Sequence, residues 1–290
     1  MKKIFSFVAL MILCVISAFA QDSDQNAQKG VCVDEFTFNS SIGTNWVTNL
    51  RNNVMEGILK TGRVRVIDIM TLKDLPTVQQ DRLAKITEFG ADVLLQGHYN
   101  SLDCQAKTKD GKTNYETASD FTLTLVSTET GEVISTQNFK NTWSSGETSK
   151  ESITSALKGA IDDMRKFIDN NFKMEAIIKA LDQVHPKKGA KTVYVTVGSD
   201  AGVRVGSGGI DGVLNGSSAT IFDVFQEVKI VDQIATKQIG TLKAKEVMGA
   251  NLTLCTVTKG GVEIQKAFEQ NIKLIVVSRA SKGGLDGIFK

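Results

Sequence analysis

Only two prolines, two histidines and four cysteines occur in 290 residues. Proline this scarce excludes a low-complexity or proline-rich chain. The two histidines, His98 and His185, lie far apart. Neither has a second histidine or a cysteine at ligand spacing, so no metal site is expected. No G-x-S-x-G turn occurs, which leaves a hydrolase without a nucleophile elbow. Charge of one sign is also lacking. The 34 Lys and Arg face 32 Asp and Glu, and two of the lysines, Lys2 and Lys3, fall in the leader. A balanced remainder gives no electrostatic footprint for nucleic acid or an anionic membrane. Apart from residues 4–16 no long apolar run is present, so no transmembrane span is expected in the mature chain.

That one run belongs to a targeting signal. Lys2 and Lys3 make a positive start, residues 4–16 an apolar centre, and Ala18-Phe19-Ala20 a small-x-small cleavage site before Gln21. Cys14 follows Leu13 and precedes more apolar chain, which does not fit a lipid anchor. The chain is therefore expected in the periplasm, possessing residues 21–30 as a mobile polar leader. Cleavage leaves Cys32, Cys104 and Cys255, an odd number. Cys32 opens one strand and Cys104 closes another. If those strands are parallel, the two ends lie beyond the ~7 Å Cα limit for a disulfide. All three are read as buried small hydrophobes.

The remaining length of about 270 residues exceeds one usual domain. Residues 31–172 read as an α/β domain. A strand over 31–38 precedes a helix from about Asn45, in which Trp46, Leu50, Val54 and Ile58 recur every four residues. A strand over 64–69 and a helix opened by Asp74-Leu75-Pro76 follow, proline being tolerated in a first turn. At Gly90 the helical pattern stops, and Val93-Leu94-Leu95 reads as a central strand covered on both faces. Asp110-Gly111 marks a type I′ hairpin turn, and Thr128 to Gly131 a second turn, giving an antiparallel meander. Thr148 with Glu151 forms a capping box before a helix carrying Ile153, Leu157, Ile161, Met164 and Ile168. The order is βαβαβββα: a mixed sheet with packed helices.

Residues 173–280 read differently. Short strands are expected at 174–181, 193–197, 219–225, 239–247, 252–257 and 272–277, separated by glycine-rich turns. This spacing suggests a small all-β barrel. Helix is slight here, one short turn at 262–268, and residues 281–290 are a frayed tail.

Candidate sites are sparse. Gly206-Ser207-Gly208-Gly209-Ile210-Asp211-Gly212 lacks both the third glycine of G-x-G-x-x-G and a Lys-Ser/Thr pair, so it reads as a barrel loop, not a phosphate cradle. Asp34, Glu35 and Asp68 fall at strand ends, where open α/β sheets bind ligands; solvated charges are the plainer reading. His98 is read as topping a strand, His185 as part of a turn before Pro186. Trp46 lies on a helix stripe and reads as core. Trp143, ending a strand before Ser144-Ser145-Gly146, is the candidate partner contact. No catalytic, cofactor-binding or metal-binding residue is expected, and no cofactor.

The strand at 31–38, the helix ending at Gly62, Val64-Arg65-Val66-Ile67-Asp68 and Gly90-Ala91-Asp92-Val93-Leu94-Leu95-Gln96-Gly97 together resemble the CsgG superfamily. That group includes curli secretion channels, LpoB-type activators of penicillin-binding proteins and TolB amino-terminal-like domains. The resemblance covers residues 31 to about 170. The stretch from Val193 to Val203, with Ile239-Gly240, is similar to SH3-like barrels attached to some envelope proteins. The resemblance implies an anticodon-binding or TolB-N-like α/β fold, envelope protein partners and a capacity for homo-oligomers. It implies a non-enzymatic binding or scaffolding module. Two alternatives stay open: a subunit of an outer-membrane curli-type secretion assembly, and a hydrolase or ligand-binding enzyme using Asp34 and Asp68. Against the channel, residues 103–120 lack the lipid-facing alternation of a spanning strand. Against an anchored form, the lipidated cysteine of such members is missing.

Overall fold

Val31, Cys32 and Val33 are wholly buried on both faces of their strand, and the first unit is laid out around them. The computed structural model describes residues 28–206, 219–230 and 233–279, the side chains of 141–143, 230 and 233 excepted. The leader with its Ala18, Ala20 and Gln21 cleavage site, residues 207–212 of the glycine-rich loop, the tail and the Trp143 side chain lie outside the described residues. Two compact units hold the described residues: 28–173 with 279, and 174–206 with 219–230 and 233–278.

In the first unit the order is β1 (Gly30–Val33), β2 (Thr37–Phe38), α1 (Thr44–Leu59), β3 (Arg65–Asp68), α2 (Gln79–Glu88), β4 (Val93–Lys109), β5 (Lys112–Ser127), β6 (Val133–Gly146) and α3 (Ser149–Asn171). The sheet runs β3-β1-β4-β5-β6, with β2 beside β4. β1 is parallel to β3 and β4, while β4, β5 and β6 form an antiparallel meander. This is a mixed sheet. Helices α1 and α3 pack on the face carrying Val31, Val33 and Leu95. Helix α2 packs on the other, over Cys32 and Leu94.

The helical stripe of α1 buries Val47, Leu50, Val54 and Ile58, each contributing about 1.5–3 kcal/mol of transfer free energy. Helix α3 begins at the capping box: Thr148 Oγ1 accepts from the Glu151 amide, and the Glu151 side chain accepts from the Thr148 amide, both at 3.2 Å. Its Phe167 meets Phe139 edge-on at 5.7 Å, and Phe139 stacks on Phe121 at 5.0 Å. Asp110 and Gly111 stand at φ 52° and 73°, the double positive pair of a type I′ turn.

Several elements depart from the sequence reading. The first strand divides at Asp34, because the Phe36 ring lies over Gly97, at 2.5 Å from where a Cβ would stand. Helix α2 starts at Gln79, past Pro76. Asp74 sits at φ 56° and turns the chain away, leaving Leu72 and Leu75 to pack as loop. β4 is 17 residues long, so His98 and Cys104 are mid-strand and do not close it. Cys32 pairs with Leu94, and Cys104 lies ten residues further along the same strand. That separation, about 33 Å at the rise of a strand, keeps them apart.

All three described cysteines are free. Burial pushes the Cys32 thiol up to about 12, helped by the charge of Asp34, and burial alone does the same for Cys255. A buried thiol with little thiolate is inert. In the native chain at pH 8, a thiol reagent is expected to leave Cys32 and Cys255 unmodified, and both should react once guanidinium unfolds the protein. Native labelling of either, mapped by mass spectrometry, would contradict this packing.

The second unit is a closed six-stranded barrel. Its strands are β7 (Glu175–His185), β8 (Gly189–Val195), β9 (Ile221–Ile230), β10 (Gln233–Gly249), β11 (Leu252–Lys259) and β12 (Leu274–Ser278). They close in the order β10-β11-β8-β7-β12-β9, every described pair antiparallel. Inward residues Val193, Val195, Phe222, Val224, Leu242, Cys255 and Val276 fill it at 0% exposure. The single turn expected at 262–268 is a longer helix, α4 (Gly261–Glu269), whose Ile264 and Ala267 seal the core. Gly260 opens it at φ 78°, where a Cβ would stand 1.9 Å from the Ile239 carbonyl oxygen. Among the described residues no helix is long and apolar enough to cross a membrane.

Candidate functional site

Strands β1 and β3 are neighbours, yet the chain leaves them for opposite faces, β1 into α1 and β3 toward α2. In open α/β sheets this reversal opens a crevice at the carboxyl ends of the strands, the usual ligand position. Asp34 follows β1 and Asp68 ends β3, so both sequence candidates do come to the crevice.

It is filled from within. Arg51, on α1 and 8% exposed, donates from Nε to the Asp34 carbonyl at 2.8 Å and from Nη2 to the Val33 carbonyl at 2.9 Å. Its Nη2 also reaches Asp68 Oδ1 at 2.5 Å. From α2, Arg82 donates through Nη2 to Asp34 Oδ1 at 2.7 Å. Asp34 Oδ1 further accepts the Glu35 amide, and Asp68 Oδ1 the Met70 amide that opens a 3-10 turn over Ile69–Thr71. Burial raises the Asp68 pKa, but hydrogen bonds from Arg51 and the Met70 amide, with the Arg51 charge, outweigh it and hold the carboxyl below its ordinary value. Each carboxylate thus has an arginine of its own. The arrangement ties α1 and α2 to the strand ends and leaves neither group poised as a base toward an open cavity.

The other candidates disperse. His98 Nδ1 lies 2.7 Å from Thr37 Oγ1 and fastens β2 to β4. His185 Nδ1 accepts the Lys187 amide inside the β7–β8 turn. Among the described residues no group of three His, Cys, Asp or Glu could hold a metal ion. Trp46 is half-buried against the α/β core.

Trp46 also borders a feature not foreseen. An open groove of about 670 Å³ lies between the first turns of α1 and α3, lined by Gly43, Thr44, Asn45, Trp46, Ser149 and Lys150 among others. Gly43 caps α1 without a side-chain hydrogen bond, and that first turn holds no acidic residue. Lower down the helices close tightly: a Cβ at Gly57 would lie 2.7 Å from the Ile161 carbonyl oxygen. The groove is the space where they part. No feature of the sequence marked this groove.

No protein-family model matches the chain, and no curated protein does. Solved structures with partial likeness include the PelC dodecamer from Paraburkholderia phytofirmans, at 16% identity over 48% of this chain and 88% of that one, TM-score 0.34. Lipoprotein GNA1162 from Neisseria meningitidis is 14% identical over 47% of this chain and 96% of its own, TM-score 0.35. The LpoB C-terminal domain from Escherichia coli is 14% identical over 43% and 91%, TM-score 0.28. These similarities reach about half of the chain.

Proposed function

We propose that the chain is an exported, non-enzymatic binding module of the cell envelope, whose α/β unit engages a protein partner through the groove between α1 and α3. In this reading the first unit is CsgG-like, the barrel is an SH3-like second contact module, and the chain resides in the periplasm after cleavage between Ala20 and Gln21. The observation that carries it is the contrast between two places in the first unit. The strand-end crevice is occupied by Arg51 and Arg82, whereas the groove is open and offers Trp46 beside uncharged hydrogen-bonding groups and the side chain of Lys150. A flanking aromatic with polar neighbours is the composition of a protein contact.

Capture of envelope proteins on the chain lacking residues 1–20 tests it. A discrete partner is expected, and its recovery should fall at least tenfold with Trp46→Ala and with Lys150→Glu, which is exposed and leaves the core intact. Unchanged recovery with Lys150→Glu and Trp46→Ala alike would remove the groove from the function. A turnover that Asp34→Asn abolishes in a folded chain would favour the enzyme instead, and conductance in bilayers would favour the channel.

A further inference from the structure

Charge that balances over the whole chain is not spread evenly within the barrel. The turn from β7 to β8 lies against the start of α4. A Cβ at Gly189 would stand 2.4 Å from the Val262 nitrogen, and one at Gly261 2.4 Å from the Lys188 carbonyl oxygen. Residues 184–191 and 257–263 therefore meet at one end of the barrel. Together they carry Lys187, Lys188, Lys191 and Lys259 against one carboxylate, Glu263, a net formal charge of +3. All five are exposed.

None of the four lysines is in an ion pair among the described residues, whereas Lys273 of the same unit lies 3.6 Å from Glu227. Glu263 stands in the first turn of α4, where it answers that helix's own dipole. Two apolar side chains share this end. Val184 pairs with the buried Ala190, and Val262 follows Gly261; they are 46% and 52% exposed. Single exposed valines are ordinary. A pair of them framed by four unpaired cations has a definite chemistry.

We infer that this end of the barrel rests on a bilayer surface bearing anionic phospholipid. The choice of occupant rests on charge complementarity. Protein interfaces are depleted in lysine, so four of them in one small area argue against a protein partner. At an anionic leaflet each lysine is attracted to the headgroup phosphates, and a cluster of four is the pattern such surfaces recruit. Lysine stems lie along apolar surface while their ammonium groups reach outward. The valines then enter the boundary between headgroups and acyl chains, adding an apolar contribution to the electrostatic one. Attachment of this kind is reversible and needs no spanning segment. It names what the barrel, read above as a second contact module, touches, and it uses no residue of the groove.

Co-sedimentation of the chain lacking residues 1–20 with lipid vesicles is the test. The chain is expected to pellet with phosphatidylcholine and phosphatidylglycerol in equal parts and to stay in solution with phosphatidylcholine alone. It should be released at about 1 M salt, where the screening length is ~3 Å. Lys187→Gln with Lys188→Gln should lower the partition coefficient about twentyfold, from about fivefold per lysine. Val184→Ser with Val262→Ser, which leaves every charge in place, should lower it about tenfold. Lys109→Gln with Lys112→Gln, which removes the same charge from the first unit, should change it less than twofold. All three paired variants should keep the parent's circular dichroism spectrum. Failure of the parent to pellet, equal pelleting with phosphatidylcholine alone, or unchanged binding in either barrel variant overturns the inference. So does an equal loss with the Lys109 and Lys112 pair. Recovery of a protein partner that depends on Lys187 and Lys188, with no vesicle binding, would give this end to a protein instead. Partner capture through Trp46 uses other residues, so either result can fail while the other stands.

Discussion

Replacing Asp169 with alanine is expected to cost the first unit about 3–5 kcal/mol, as breaking one side of a buried ion pair does. Asp169 Oδ1 and Arg63 Nη1 meet at 2.9 Å, with side chains 0% and 3% exposed. Arg63 Nη1 also lies 3.4 Å from the Phe172 carbonyl oxygen, so the guanidinium ties the end of α3 to the connection that feeds β3. Withdrawing the carboxylate leaves that cation in a site built for a pair. Against a usual stability of about 5–15 kcal/mol, this loss is large. Asp169→Asn keeps the volume and a hydrogen-bond acceptor and should cost less. Arg63→Met with Asp169→Leu removes both charges and should recover most of the deficit, because an apolar pair of similar size has no desolvation to offset. Both tryptophans, Trp46 and Trp143, fall in the first unit, so urea titrations followed by tryptophan fluorescence report on it and not on the barrel. A midpoint for Asp169→Ala within experimental error of the parent would show that the pair does not hold α3 in place.

Much of this frame is legible in the chain because it rests on local chemistry. The α1 stripe at Leu50, Val54 and Ile58, the Thr148–Glu151 box and the Asp110-Gly111 turn each need only neighbours in sequence, and each stands in the structure as read, whereas Trp46, read as core, is only partly buried. The start of α2 was not legible. Pro76 is compatible with a first turn, and what excludes it is the left-handed Asp74 together with Leu72 and Leu75 reaching the core. The division of the first strand accompanies Phe36 packing over Gly97, sixty-one residues away. Arg51 was missed although a signal existed. Val47, Leu50, Arg51, Val54 and Ile58 are spaced as one helical face, so a charge stood on the stripe that faces the core. A cation there must find acceptors, and the strand-end carbonyls supply them.

That residue carries the second large effect. Arg51→Met keeps the length and apolar stem but deletes donors to two backbone carbonyls and to Asp68. Hydrogen bonds to charged groups contribute about 1.5–3 kcal/mol each, and stranded buried acceptors add to the loss, so about 3 kcal/mol or more is expected. A lysine at 51 should not rescue it, since one ammonium cannot reproduce the planar fork that serves three acceptors. The pH dependence separates this from simple loss of packing. The Asp68 carboxyl lies below its ordinary value in the folded chain. Its contribution is therefore complete above the unfolded pKa, near 3.9, and disappears as pH falls through the lower folded value. In Arg51→Met burial remains while two of the three opposing influences vanish, so acid unfolding should begin at higher pH; in Asp68→Asn this group's dependence should be absent. Urea midpoints measured between pH 2 and 7 give both results. The carbonyls and the carboxylate that Arg51 engages lie where an α/β sheet would ordinarily receive a ligand, so in this chain the side chain that secures the fold also occupies that place.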